Sequence, residues 1–358
     1  MKQSLYVGTY TEPILFGTGE VFQGKGRGIY RCAFDGEDIT CESVTPLRNP
    51  SFLCIHEDCG RIYAVNEMKE FEGQSGGGMT ALAYDAQRAE PLEARHTGGG
   101  DPCHIVMSPD RSMLVVSNFA DGSVAVYRLD SQGNLLAGKQ LFQHQGSSVH
   151  PVRQRGPHAH SAIFADNYRF FVPDLGMDQL VAYRCEKGRA QRDPAHDVRL
   201  EPGSGPRFGE FSTDGKHFYL INELASSVTH FLWDGEAMTP RETVNTLPEG
   251  CDESNICSDL HLTPDGKYLY ASNRGHDSIA AFRVKEDGSL HFLDRTPCQG
   301  KTPRNFAIDP LGRHLLVGNQ DSDTIAVFDL GEDGGLRLRK VVGFPTPVCI
   351  RFVRQAAL

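Results

Sequence analysis

Residues 255–284 read NICSDLHLTPDGKYLYASNRGHDSIAAFRV. An apolar run, an Asp-Gly turn, an alternating run ending at Asn273, a short turn containing Gly275 and a third apolar run follow one another. This is the pattern of antiparallel strands joined by tight turns. The second turn is served by Gly, Asp or Ser, and its backbone does not call for the arginine at 274.

The pattern recurs along the chain. NPSFLCIHEDCGRIYAVNE (49–67), DPCHIVMSPDRSMLVVSNF (101–119), GPHAHSAIFADNYRFFVPDL (156–175), GPRFGEFSTDGKHFYLINE (205–223) and TPRNFAIDPLGRHLLVGNQ (302–320) each hold two apolar strands about a turn, usually followed by Asn and one variable residue. Equivalent positions at Phe52, His104, His160, Phe208, Asp259, Asn305 and Cys349 are spaced about fifty residues apart, the period of propeller blades. A third strand follows each turn, as in GSVAVYRLD (122–130) and DTIAVFDLG (323–331), and a weaker fourth follows Gly-rich punctuation, as in GSLHFLDRT (288–296). The expectation is an all-β, seven-bladed β-propeller with four antiparallel strands per blade, forming a single domain over 1–358. The seventh copy, TPVCIRFV (346–353), is truncated, and SLYVGTY (4–10), GIYRCAFDG (28–36) and DITCESVTPL (38–47) are the strands available to complete it. The ring is therefore expected to close by N-terminal strands joining the C-terminal one, which removes exposed sheet edges. Segments 11–27 and 143–157 exceed hairpin length and are expected to lie over the same end of the ring.

Hydrophobic residues make up 39% of the chain, enough for a large core, and the net charge is −10, which argues against a nucleic-acid partner. No apolar run of membrane or signal-peptide length is present, so a cytoplasmic protein without membrane association is expected. The ten cysteines include no CxxC pair and read as reduced, packed thiols.

In a propeller blade the start of the first strand and the end of the second reach the same face near the axis. The first set of positions includes His104, His160, Arg207, Asp259 and Arg304; the second includes Glu67, Glu223 and Arg274. Three arginines at one mouth of an acidic protein suit bidentate capture of a carboxylate or phosphate. The glutamates could instead cap the arginines, and Asp259 could fix a turn. His158 and His160, two apart, face the same side of the chain. Two histidines without a third ligand make a weak metal motif, and no metal is expected.

With these residues in view, GPRF…NE, SDLHLTPDGKYLYASNR, TPRNFAID and the opening VGTYT resemble the seven-bladed propeller lactonases, the family of bacterial 6-phosphogluconolactonases that also includes the fungal carboxy-cis,cis-muconate cyclase. The resemblance covers nearly the whole chain. It implies hydrolysis of 6-phosphoglucono-δ-lactone in the pentose phosphate pathway without a cofactor, with His160, Arg207, Glu223 and Arg274 as the catalytic set. Either Glu223 or His160 would activate water, and Glu67, His104, His158, Asp259 and Arg304 would contact the small anionic lactone. The PHAH histidines and the SNF of the second blade depart from the family pattern, so His158 could share the role of His160. The alternatives are a muconate-type or other carboxylated lactone and a non-catalytic interaction propeller. The single tryptophan, Trp233, and the lack of repeated Trp-Asp ends disfavour the last.

Overall fold

The computed structural model describes residues 2–15, 19–186, 188–251 and 253–353. Seven antiparallel sheets carry the repeat, and the only helical pieces among the described residues are two 3₁₀ turns, Glu57–Cys59 and Pro194–His196. The chain is an all-β, seven-bladed β-propeller with four strands per blade. Blade five, the opening stretch of sequence, is made of Ile256–Leu262, Tyr268–Arg274, Ser278–Val284 and Leu290–Pro297 in that order. The expected closure is present: Pro347–Phe352 pairs with Gln3–Thr9, which continues through Gly28–Phe34 to Ile39–Pro46.

Two departures from the repeat are local. In blade three the outer strand is broken into Arg189–Arg192 and Val198–Arg199 around the Pro194 turn, because proline has no amide to continue a ladder. In blade one a small hairpin, Glu70–Phe71 with Gln74–Ser75, is inserted after the second strand.

Contacts divide the chain into two compact units. One comprises residues up to Val7, Arg31–Glu42 and everything from Phe208; the other comprises Gly8–Tyr30 and Ser43–Arg207. Within each unit the apolar clusters span consecutive blades. Tyr63, Val65, Ile105, Leu114 and Tyr127 join blades one and two, and Tyr219, Ile221, Leu260, Leu269 and Phe282 join blades four and five. Alternation puts one face of each strand against each neighbour, and every such fully buried aliphatic stabilises the fold by about 1.5–3 kcal/mol.

A tyrosine staple accompanies this packing. Tyr63 Oη donates to the Gly133 carbonyl (2.6 Å), Tyr219 to Gly288 (2.8 Å) and Tyr270 to Gly334 (2.9 Å), each reaching the outer turn of the next blade. Burial raises the pKa of all three hydroxyls and keeps them protonated as donors. Tyr270→Phe leaves a buried carbonyl unpartnered. It is expected to lower the urea-unfolding free energy by about 1–2 kcal/mol with an unchanged m-value.

Candidate active site

The recurrent asparagine explains why the residue after it is free to vary. Asn118, Asn222, Asn273 and Asn319 each donate from Nδ2 to the hydroxyl five residues on, Ser123, Ser227, Ser278 and Thr324, at 3.0–3.3 Å. Each pair is also in direct register across the hairpin, so the side chains brace the turn from within. The last turn residue is left-handed in Ser226, Asp277 and Asp323, and the following strand starts at once. With the turn held this way, Phe119, Glu223, Arg274 and Gln320 carry no backbone duty.

The other set of positions gains its freedom from β-bulges. Register shifts occur between Pro102 and His104, between Cys257 and Leu260, and between Pro303 and Asn305. Cys103, the Ser258–Asp259 pair and Arg304 are the residues left over, and a bulge re-aims the side chains that it displaces.

In the later unit Arg274 and Glu223 form a buried ion pair. Nη2 of Arg274 donates to Glu223 Oε2 at 2.8 Å and to the Cys257 carbonyl at 2.9 Å; the two side chains are 11% and 3% exposed. The glutamate and the Cys257 carbonyl together hold Nη2 of the guanidinium, the capping arrangement that the sequence had left open. Asp259 lies 4% exposed and reaches across blades: its Oδ2 accepts from Asn305 Nδ2 (2.5 Å) and Phe306 N (3.1 Å) and meets His261 Nε2 (3.2 Å), whose Nδ1 faces Glu210 (3.0 Å). Asn305 Oδ1 in turn accepts from Ile350 N (2.6 Å), so one polar chain runs through the first strands of blades four to seven. Arg304 is half-buried beside it on the bulge.

In the earlier unit Arg207 is buried on Pro206–Phe211, and Ser161 Oγ donates to its carbonyl at 2.8 Å. His158 and His160 flank a single bridging residue, Ala159, rather than lying in a full strand. Both rings meet Phe119, His158 stacked at 4.7 Å and His160 edge-on at 5.5 Å, so they do share a side of the chain. His158 Nδ1 lies 2.7 Å from the Phe119 carbonyl, which can only accept, so Nδ1 is the donor of this bond. His160 is buried, with Nδ1 3.8 Å from Cys103 Sγ. His104 is packed on Phe52 at 4.3 Å and accepts from Ala162 N. Glu67 is buried and accepts from Tyr10 Oη at 2.9 Å.

Both long segments are pinned at these same strand ends. Thr11 and Glu12 amides donate to Asn49 Oδ1, while Gln154 Nε2 donates to the Leu175 carbonyl and Ser148 Oγ to Asp178.

A sequence model described as "Lactonase, 7-bladed beta-propeller" matches residues 4–352. The chain belongs to this lactonase family. Among curated proteins it is 30% identical to a 6-phosphogluconolactonase of Bacillus subtilis, with 98% of each chain covered. It is 32% identical to a 6-phosphogluconolactonase of Formosa agariphila over 85% of this chain and 86% of that one. Among solved structures it superposes on a periplasmic gluconolactonase of Pseudomonas aeruginosa with a TM-score of 0.90, 33% identity and 99% of both chains covered. Lactone hydrolysis is the reaction of the family, and no helix among the described residues is long and apolar enough to cross a membrane.

Three residues of this lactonase fold escaped the sequence reading. His144, within the 143–157 segment, is sandwiched between Asp174 (2.7 Å) and Tyr183 (2.7 Å); nothing local in QHQG marks it. His261 is two residues from Asp259 on one strand and so on its side, a signal that was there to be used. Asp101 lies near Glu67 only in space. Burial, reinforced by Glu67 and opposed by Lys69, raises the Asp101 carboxyl to about 7. A raised folded-state pKa contributes stability below about pH 4 that is lost as pH rises through 7. Asp101→Asn is thus expected to gain on the parent protein, on the order of 2–4 kcal/mol, between pH 4 and 8 in urea titrations. For His261, desolvation opposes protonation, but Asp259 and Glu210 outweigh it and raise the imidazole to about 9. Its contribution is present below about pH 6.5 and lost on passing pH 9, and His261→Gln should flatten that limb of the stability profile.

Proposed function

We propose that this protein hydrolyses 6-phosphoglucono-δ-lactone to 6-phosphogluconate, a step of the pentose phosphate pathway, as a single lactonase domain in the cytoplasm. The observation that carries the reading is the largely buried Arg274 guanidinium, its Nη2 held by Glu223 and the Cys257 carbonyl, at a position the fold leaves unconstrained. A desolvated, oriented guanidinium in a protein of net charge −10 is suited to an anionic substrate and to the oxyanion that develops on its carbonyl. The names of the Bacillus and Formosa relatives support the phosphorylated substrate.

Hydrolysis adds water to the lactone carbonyl carbon, and the ring C–O bond then breaks to leave a carboxylate and a hydroxyl. Arg274 and Arg207 are assigned to the anionic groups and the oxyanion. Since Glu223 is engaged with Arg274, it is assigned to positioning. The proton from water is assigned to His160, with His158 beside the same Phe119. Glu67, His104, Asp259 and Arg304 are assigned to substrate contact or to holding the residues that make it. The chemistry requires no metal or organic cofactor. The gluconolactonase relative favours a second reading, the unphosphorylated lactone.

Freshly prepared 6-phosphoglucono-δ-lactone and glucono-δ-lactone should be compared after subtracting the uncatalysed rate. Preference for the phosphorylated lactone is expected, with Arg274→Ala losing about 100-fold or more in kcat/KM and His160→Ala losing kcat chiefly. Equal rates on both lactones would favour the second reading, and a folded Arg274→Ala variant with parental kcat/KM would remove Arg274 from the site.

A further inference from the structure

The segment between blades four and five and the central turn of blade five place a second constellation that lactone chemistry does not use. Cys251, Glu253 and His276 each offer one ligand atom, and the three atoms lie within 4.8 Å of one another. It is the one such group among the described residues. We propose that these three side chains form a divalent transition-metal site of zinc type.

The donor set argues for the metal. A thiolate, an imidazole and a carboxylate are borderline-soft ligands that zinc accepts, whereas Mg²⁺ and Ca²⁺ favour oxygen alone. Thiolate and carboxylate together match the charge of a divalent ion, and three protein ligands leave a fourth position for water.

The surroundings hold the ligands in place. His276 Nδ1 is 2.7 Å from Ser278 Oγ, which leaves Nε2 to coordinate; an imidazole anchored through its other nitrogen is the usual support of a ligating histidine. Ser278 Oγ is itself fixed by Asn273 Nδ2 at 3.1 Å, so the hairpin brace of blade five also orients the ring. Arg295 pins the start of the segment through the Thr246 and Leu247 carbonyls, both at 2.6 Å, and Cys251 N closes a turn onto the Pro248 carbonyl at 3.2 Å. Asn255 ties its end to the turn, donating from Nδ2 to Ser226 Oγ (2.9 Å) and accepting at Oδ1 from His276 N (3.2 Å). The approach needs Gly275: a Cβ there would lie 2.1 Å from the Ser254 carbonyl oxygen, and its φ is +115°. The site would thus clip the 246–255 segment to the turn that carries Arg274.

The full chain, stripped with a chelator, should be titrated with Zn²⁺ by calorimetry and with Co²⁺ by absorption. One ion per chain is expected, with a thiolate-to-cobalt charge-transfer band. Cys251→Ser should abolish the band, His276→Ala should weaken Zn²⁺ binding about 100-fold or more, and Mg²⁺ should not compete. Cys41→Ser, at an exposed cysteine in another blade, should change none of this. Circular dichroism of the apo variants checks that they fold. Failure of the folded parent to bind, or binding that Cys251→Ser and His276→Ala leave unchanged, would overturn the proposal. Neither outcome bears on lactone hydrolysis.

Discussion

The asparagine brace across the inner hairpin is the constraint on which the functional architecture depends. A four-residue turn between two buried strands must otherwise be held by its own residues, which restricts them to Gly, Asn, Asp and Ser. Moving that duty to Asn118, Asn222, Asn273 and Asn319, each bonded to a hydroxyl on the opposite strand, relieves the residue immediately after the asparagine. Blade after blade then presents a different side chain at a fixed address, and Glu223 and Arg274 come from two such addresses in adjacent blades. Blade three shows the same need met differently: Asp174 stands in place of asparagine and binds the His158 and Gly176 amides through Oδ1.

Two charged groups buried together rarely add to stability, because desolvation offsets most of their attraction. The Arg274–Glu223 pair is better understood as a positioning device whose cost is borne by the tyrosine-stapled, apolar contacts between blades. The polar chain from Glu210 through His261, Asp259 and Asn305 to Ile350 has a different logic. Its members satisfy one another within the first strands, and it ties the strand at 347–352 to blades that precede it.

The fold was readable because the repeat shows in both apolar patterning and turn residues, and consistency across levels is what makes a pattern specific. Even the closure followed, since a truncated seventh copy and three spare N-terminal strands admit one arrangement. That Glu223 and Arg274 stand at the ends of second strands in adjacent blades could be read by address alone. Side-chain partnerships could not: the link from Asp101 to Glu67, or from His276 to Cys251, joins residues that only the folded hairpins bring near. The bulges at Cys103, Ser258–Asp259 and Arg304 were equally hidden, because an extra residue in a strand leaves the apolar alternation almost intact. The broken outer strand of blade three was not read from the sequence, although Pro194, which cannot continue a ladder, sits at the break.

The closing sheet, in which Pro347–Phe352 lies against Gln3–Thr9, also sets an order of events in time. During synthesis every blade from 53 to 343 can pair its own strands from local sequence, but the N-terminal sheet keeps an unpaired inner edge until the strand at 347–352 emerges. The last contact to form is therefore the one with the greatest sequence separation, and topology of that kind slows the final step of folding. Cooperative stability arrives late, and until then the chain carries an open edge of the type that recruits chaperones or other copies.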